Sequence, residues 1–446
     1  MDGYHAWMLV SSSLVLLMTP ALALFYGGMS RSKSVLNMMM MSFSAMGVVA
    51  VVYVLWGWSM SYAGGDVASL FANPFSAFGL RDVPLEDYIF VAFQMTFAII
   101  TAALISGAIA DRVKFSAWLV FLPIWVTLSY FPLAHMVWGG GFLSDAKNGL
   151  ADLIFSGDDG AAVAPIDYAG GTVVHINAGV AALVLVLLIG MRKGFGKEPM
   201  KPHNLTLTML GAGLLWFGWF GFNVGSIVFT GATEAENVAQ FASETGLVWI
   251  NTTVATAAAL LGWLLVEKLR DGKGTSLGAA SGVVAGLVAI TPACGSLSPT
   301  GSIILGAVAG AASALAVGLK YRFRYDDSLD VVGVHLVSGL VGTIGIGFLA
   351  TEGGLFYGDG VRQLVVQTVV ALFAMLWAAV ATLVVGLLIK YAMGWRISEE
   401  DEVEGIDFTE HGEAAYDLNA RSGGVLSGKT PATAGASTTT SEGAMA

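Results

Sequence analysis

Asp167 to Gly179 reads DYAGGTVVHINAG and sets His175 inside an apolar run, eight residues after an aspartate and four before a glycine. The spacing Asp-x7-His-x3-Gly returns from Asp327 to Gly339, DSLDVVGVHLVSG, around His335. An ionisable ring in an apolar span is costly to leave facing lipid, so it marks a pathway or relay and faces protein or water. A lone buried histidine is commonly structural. Two in matched positions point to function.

The runs around both histidines belong to a series. Apolar stretches of about 17–25 residues cross a hydrocarbon core as helix. They fall near 7–26, 36–62, 88–110, 115–137, 170–190, 205–228, 245–266, 275–291, 301–321, 329–349 and 361–392, which predicts an all-α polytopic membrane protein of eleven transmembrane helices. Composition agrees: of 446 residues 56% are hydrophobic and 12% charged, about half the charged fraction usual in soluble proteins. Asp2 and His5 precede the first run without a basic region, so no cleavable signal peptide is expected and the first span should be retained. Cys294 is the single cysteine, which excludes an intramolecular disulfide and a Cys-cluster metal site.

Lysine and arginine favour cytoplasmic loops. With the N-terminus outside and the C-terminus inside, sixteen of the 21 bases lie at inner connections or the end of the last span, and only Arg81, Lys147 and Arg362 lie in outer loops. Fifteen acids, from Asp2 to Asp359, fall on the outer side. A negative mouth between low-dielectric walls concentrates cations, although acidic loops also serve solubility.

Eleven spans divide as an inverted 5+5 repeat plus a final helix, since an odd number of helices turns the second half over and places binding sites near the midplane. The transporter domain is expected over 1–396, with halves at about 1–200 and 201–355 and the last helix at about 361–392. His175 then runs inward in span five and His335 outward in span ten, each about 12 Å from its aspartate. Both lie within the hydrocarbon layer. Glycines crowd spans six and eight, where small residues let backbones approach.

Near the outer ends lie aromatics: Phe93 and Phe97 on one helical face, Trp138 after span four, and Phe222 with Ser226 at the end of span six. Aromatic faces hold a cation for about 0.5–2 kcal/mol each, far less than its dehydration costs. Such a site selects a cation but cannot carry it dry across a bilayer; each ring taken singly also reads as interfacial belt or core. Asp167 either supplies negative field or caps the fifth helix. His135 reads as structural. Asp326, Asp327 and Asp330 with Arg322 and Arg324 read as a loop salt-bridge network.

No Walker loop, HExxH or acidic metal cluster occurs, so ATP-driven transport and hydrolase chemistry have no support. The protein is expected not to be an enzyme and to need no cofactor or metal. After Ile397 comes an acidic segment, SEEDEVE (Ser398 to Glu404), then GIDFTEHGEAAYDL (Gly405 to Leu418), able to dock on the inner face or on a partner. A cytoplasmic tail is placed at 397–418 and a disordered end at 419–446.

DYAGGTVVHINAG, AHMVWGGG (Ala134 to Gly141), FQMTF (Phe93 to Phe97), GWFGFN-x-GS (Gly218 to Ser226), TPACG (Thr291 to Gly295) and D-x-x-DV-x-GVH (Asp327 to His335) resemble the ammonium transporters of the Amt/Mep/Rh group, especially the bacterial Amt branch. The resemblance implies a homotrimer in the cytoplasmic membrane, each subunit with its own apolar pore. It implies an external ammonium site at Phe97, Trp138 and Ser226 with Phe93 nearby, and a gate of stacked Phe97 and Phe222. His175 and His335 would line the pore, and Asp167 would steady the cation without touching it. The GIDFTEHGEAAY region resembles the family's regulatory tail, which cooperates with a PII-type protein such as GlnK. Ammonium, with methylammonium as analogue, is the implied solute, and no nucleic acid partner is expected. Two rivals stay open: an ammonium sensor signalling through its tail, and an Rh-like neutral gas channel.

Overall fold

Ten helices of the computed structural model, which describes residues 2–64 and 66–416, are long and apolar enough to cross a membrane. They are α1 (Gly3–Met29), α2 (Val35–Tyr62), α3 (Leu85–Ile109), α4 (Phe115–Trp138), α5 (Gly171–Ile189), α6 (Leu205–Val224), α7 (Glu234–Asp271), α9 (Pro299–Phe323), α10 (Val332–Leu349) and α11 (Arg362–Ala392). A shorter apolar helix, α8 (Ser276–Ile290), lies between α7 and α9. Every expected span coincides with a helix. The largest difference is α7, which begins at Glu234 rather than near 245 because Thr233 and Glu236 form a capping box there. That first turn is polar and carries no hydropathy signal.

Helix α1 packs along α6, and α7 along both α8 and α9. Glycines permit the closeness: a Cβ on Gly211 would stand 2.4 Å from the Phe25 nitrogen, and one on Gly310 2.0 Å from the Ala259 carbonyl oxygen. Four stretches wind as π-helix, Tyr53–Gly57 in α2, Val126–Tyr130 in α4, Gly171–Ile176 in α5 and Val332–Leu336 in α10. The last two contain the histidines. π turns are rare and gather at functional sites.

The Asp327 end of the bundle is held by buried charges, with partners other than those expected. Arg192 grips Asp326 through Nη2 to Oδ1 at 2.8 Å and Nε to Oδ2 at 2.9 Å, and reaches Asp111 with Nη1 at 2.9 Å. Arg31 adds a bond to Asp111 at 3.0 Å, while Lys320 pairs with Asp330 at 2.7 Å. Arg322 and Arg324 are exposed and make no ion pair with these acids among the described residues. The nearest bases in sequence are thus not the partners, because the α5–α6 loop brings Arg192 across with a fork that fits a carboxylate. Burial works to raise the Asp111 carboxyl, and Arg192 and Arg31 outweigh it, leaving it below the ordinary carboxylate value.

The segment after α11 docks on this same end. Helix α12 (Glu399–Glu404) packs on α13 (Ile406–His411), which lies against the starts of α2 and α4. Asp407 accepts from the backbone nitrogens of Leu36 at 3.1 Å and Asn37 at 2.7 Å, and Glu410 from that of Phe115 at 2.8 Å. Carboxylates thereby satisfy free N–H groups at two helix N-termini, where the helix dipole also favours negative charge. Glu402 accepts from Lys193 N and Arg396 Nη2, both at 2.7 Å. The segment thus docks on the chain's own helices. The end expected to be disordered, 419–446, lies outside the described residues.

Candidate functional site

The carboxylate of Asp167 accepts four backbone N–H bonds, from Gly170 (3.0 Å), Gly171 (2.6 Å), Thr172 (3.0 Å) and Val173 (3.1 Å). Gly170 makes this possible with φ of 115°, a conformation nearly reserved for glycine. The other end repeats the construction: Asp327 accepts from Val331 at 3.0 Å and Val332 at 2.7 Å, and Asp330 holds the left-handed place with φ of 64°. The first regular bonds match as well, Val174 N to Gly170 O and Val334 N to Asp330 O, both at 2.9 Å. Each histidine is thus presented by a π turn at a fixed distance from its cap.

The motif's glycines bring the two turns together. A Cβ on Gly179 would lie 2.6 Å from Leu336 N, and one on Gly339 3.3 Å from His175 Cβ. The imidazoles lie 5.4 Å apart at 22°, with 3.3 Å between their Nδ1 atoms. A hydrogen bond between identical atoms needs one donor and one acceptor, so one Nδ1 carries hydrogen and the other does not. Both rings are buried, 1% and 2% exposed, which excludes bulk water as their partner.

Trp219 stacks on His175 at 5.5 Å and 19°, with its indole nitrogen donating to Thr291 Oγ1 at 2.8 Å. Sequence reading missed this residue. The available signal was its place three residues before Phe222 in GWFGFN, on the same helical face. From His175 the line of rings continues to Phe222 at 6.1 Å and from there to Phe97, stacked on Phe222 at 4.1 Å and 20°. Trp138 meets Phe97 edge-on at 6.0 Å, and Phe93 lies 4.8 Å from Phe97.

Trp138 is oriented by a 2.8 Å bond from its indole nitrogen to the Asp167 carbonyl. Ser226 donates its hydroxyl to Phe222 O at 2.8 Å, keeping oxygen lone pairs for a donor, and neighbouring Gly225 lies against the Phe93 ring. Phe93, Phe97 and Phe222 are buried, whereas Trp138 and Ser226 are partly open. All four oxygen positions of Asp167 are taken by N–H groups, so its carboxylate reaches a ligand through its field only. Burial raises that carboxyl above its ordinary value against the pull of the four N–H bonds. His135 bonds Ser61 O through Nδ1 at 3.1 Å.

Below the phenyl stack, His175, His335, Trp219, Phe222, Leu104 and Val284 bound a cavity. It leaves about 10 Å3 to the centre of a water-sized molecule, about what one such molecule needs. The walls offer two imidazoles and otherwise apolar surface. Such a space suits a small neutral hydrogen-bonding solute and penalises an ion stripped of water.

Long apolar helices around a narrow, ring-lined space define a multi-pass membrane transport protein. The model of the Ammonium Transporter Family matches residues 6–416, and the chain belongs to that family, whose members reside in the cell membrane. The chain is 50% identical to an ammonium transporter of Mycobacterium tuberculosis (strain ATCC 25618 / H37Rv) over 460 residues, covering 95% of this chain and 92% of the other. Among solved structures it resembles Mep2 of Saccharomyces cerevisiae (TM-score 0.76, 30% identity, 90% of this chain and 88% of that one). It also resembles a chain described as a sensor Amt protein (TM-score 0.79, 26% identity, 92% of this chain and 100% of that one).

Proposed function

We propose that this protein recruits ammonium at Trp138, Phe97 and Ser226, with Phe93 beside them and the field of Asp167 behind. There the cation sheds part of its water and its proton, since removing solvent disfavours a charged amine. Ammonia then passes the Phe97/Phe222 gate and hydrogen-bonds along His175 and His335. The proton follows through water and the histidine pair, so net uptake is electrogenic. The carrying observation is that the phenyl stack, 4.1 Å between centroids, leads to a histidine pair bonded at 3.3 Å around a space for one small molecule.

The Asp167 end faces outside with the N-terminus, and the Asp327 end faces the cytoplasm with the docked tail. The domain is 1–396, with inverted halves and a last helix, and 397–418 is the regulatory segment. Support comes from the matched caps, left-handed residues and π turns of α5 and α10. Three copies form the working unit, and a PII-type protein such as GlnK binds the inner face.

The deciding experiment is ammonium-evoked current in proteoliposomes. Replacing both His175 and His335 by alanine should abolish it; undiminished current in that variant sinks the relay. A neutral gas channel predicts no current from the native protein at any pH.

A second reading, an ammonium sensor, is favoured by the tail itself, whose Asp407, Glu410 and Glu402 fasten it to the ends of α2 and α4 and to the residues after α5. Labelled methylammonium uptake in cells lacking other carriers, measured beside partner capture by the tail, separates the two. A sensor captures a partner and supplies little solute.

A further inference from the structure

Between the α1–α2 turn, the α5–α6 loop and the docked tail lies a polar cavity of about 350 Å3 that the transport reading does not use. The α1–α2 turn contributes Arg31, Ser32 and Lys33, the α5–α6 loop Lys201 and His203, and the tail Glu402 and Val403. We propose that this cavity is a binding site for a phosphate group, held between Lys33, Lys201 and Arg31 and bridging the tail to the bundle.

The charge balance supports an anion. Glu402 is the acid on the wall, and both its oxygens are already engaged, one by Lys193 N and the other by Arg396. Arg31 uses Nε on Asp111, at 3.0 Å, and its Nη2 is buried without a hydrogen-bond partner, so its contribution to the cavity is chiefly its charge. His203 spends Nδ1 on Ser30 O at 3.0 Å. Lys33 makes one long bond, 3.3 Å to the carbonyl of Val403. An ammonium group has three donors, so Lys33 can hold that carbonyl and an anion together. Lys201 is exposed at the rim.

The Arg31 guanidinium, two lysines and the Ser32 hydroxyl come from two separate loops and so offer charge and donors from several directions, which suits the tetrahedrally arranged oxygens of a phosphate. The volume also falls in the range of small-ligand sites. Nearby, Asp407 is tied to the same lysine, since its backbone nitrogen bonds Lys33 O at 3.1 Å. An occupant that fixes Lys33 therefore also fixes the tail where Asp407 caps α2.

The group has two sources, a free phosphate compound or a lipid headgroup. Binding can be measured on detergent-solubilised protein, where it does not depend on which face of the membrane this end occupies. Inorganic phosphate and AMP should each be titrated calorimetrically into the full chain at constant ionic strength. Hydrogen exchange of residues 399–411 should be followed in parallel. Saturable binding with slower exchange in that segment is expected, and Lys201→Gln, an exposed site, should weaken binding about tenfold through loss of one charged donor. Lys33→Gln should do the same while also loosening the tail. Ammonium current in Lys201→Gln should stay at the native level, which separates failure of this site from failure of the transport reading.

A second arm compares nanodiscs of phosphatidylglycerol with nanodiscs of phosphatidylcholine. Lysine-dependent protection of 399–411 seen only in the former assigns the phosphate to lipid. Non-saturating titrations together with equal protection in both nanodiscs overturn the proposal. So does binding that Lys33→Gln and Lys201→Gln leave unchanged in variants with native unfolding temperatures.

Discussion

The starts of α5 and α10 share one sequence spacing and one backbone construction, yet they serve opposite chemical surroundings. At Asp167 the carboxylate collects four N–H bonds, and its neighbours are an indole and phenyl rings. At Asp327 it collects two, beside Asp330, Lys320 and the Arg192 network. The repeated spacing therefore specifies how a helix begins and where its histidine lies. What the cap does beyond that depends on which groups the rest of the chain brings to it. An end lined by rings around one capped carboxylate suits recognition of one cation, and an ion-paired end suits anchoring of loops and tail.

The largest test of this contrast is Arg192→Ala. It strips Asp111 and Asp326 of their shared partner and should cost about 3–5 kcal/mol, as breaking buried pairs does. Thermal unfolding in detergent reads it, and a change below about 1 kcal/mol would mean the charged end does not hold the loops. Asp167→Ala comes next, at about 3 kcal/mol from several N–H groups left without an acceptor. Asp327→Ala, with two such bonds, should cost about half. Equal losses would erase the difference between the caps.

The crossing point offers a smaller effect. Alanine at Gly179 drives its Cβ to within 2.6 Å of the Leu336 backbone and should cost about 1–3 kcal/mol, together with ammonium current. At Gly339 the nearest atom stands at 3.2 Å, on the flexible side chain of Ile176, and alanine should cost less. The reverse order would show that the helices cross elsewhere.

The smallest effect is in pH. Burial, with Asp330 nearby, pushes Asp327 up to about 6 from an ordinary 3.8. The folded protein then holds a proton that the unfolded chain releases, so this group's contribution is full below about pH 4 and is lost as pH rises through about 6. Asp327→Asn should flatten that fall in unfolding temperature. An unchanged slope would assign it to other groups.

Much of this was legible in the sequence because hydropathy and loop charge are carried by single residues. The spans, the histidines and the rings at Phe97, Trp138 and Phe222 all fell where apolar runs and motifs placed them. Roles in transport are a further step, which the current and uptake measurements address. Less legible were features that depend on what lies opposite. Trp219 has only its i, i+3 spacing to Phe222 to set it apart from other span tryptophans until His175 is seen stacked on it. Arg192 is 134 residues from Asp326, so proximity in sequence favoured Arg322 and Arg324 as partners. The tail gave both docking and partner binding as options, since its acids reveal their purpose only against the free N–H groups of α2 and α4.

The π turns carry one consequence more. Each residue of an α-helix advances the chain by about 100° around the axis, and a π turn is a helix with one residue added. The seven positions between Asp167 and His175, and between Asp327 and His335, are therefore an angular setting as well as a length. Taking one residue out of that length turns the imidazole by roughly a quarter-turn relative to its aspartate and so away from its twin. The aspartate acts as the zero mark of a dial, and the extra residue selects the direction in which the histidine points.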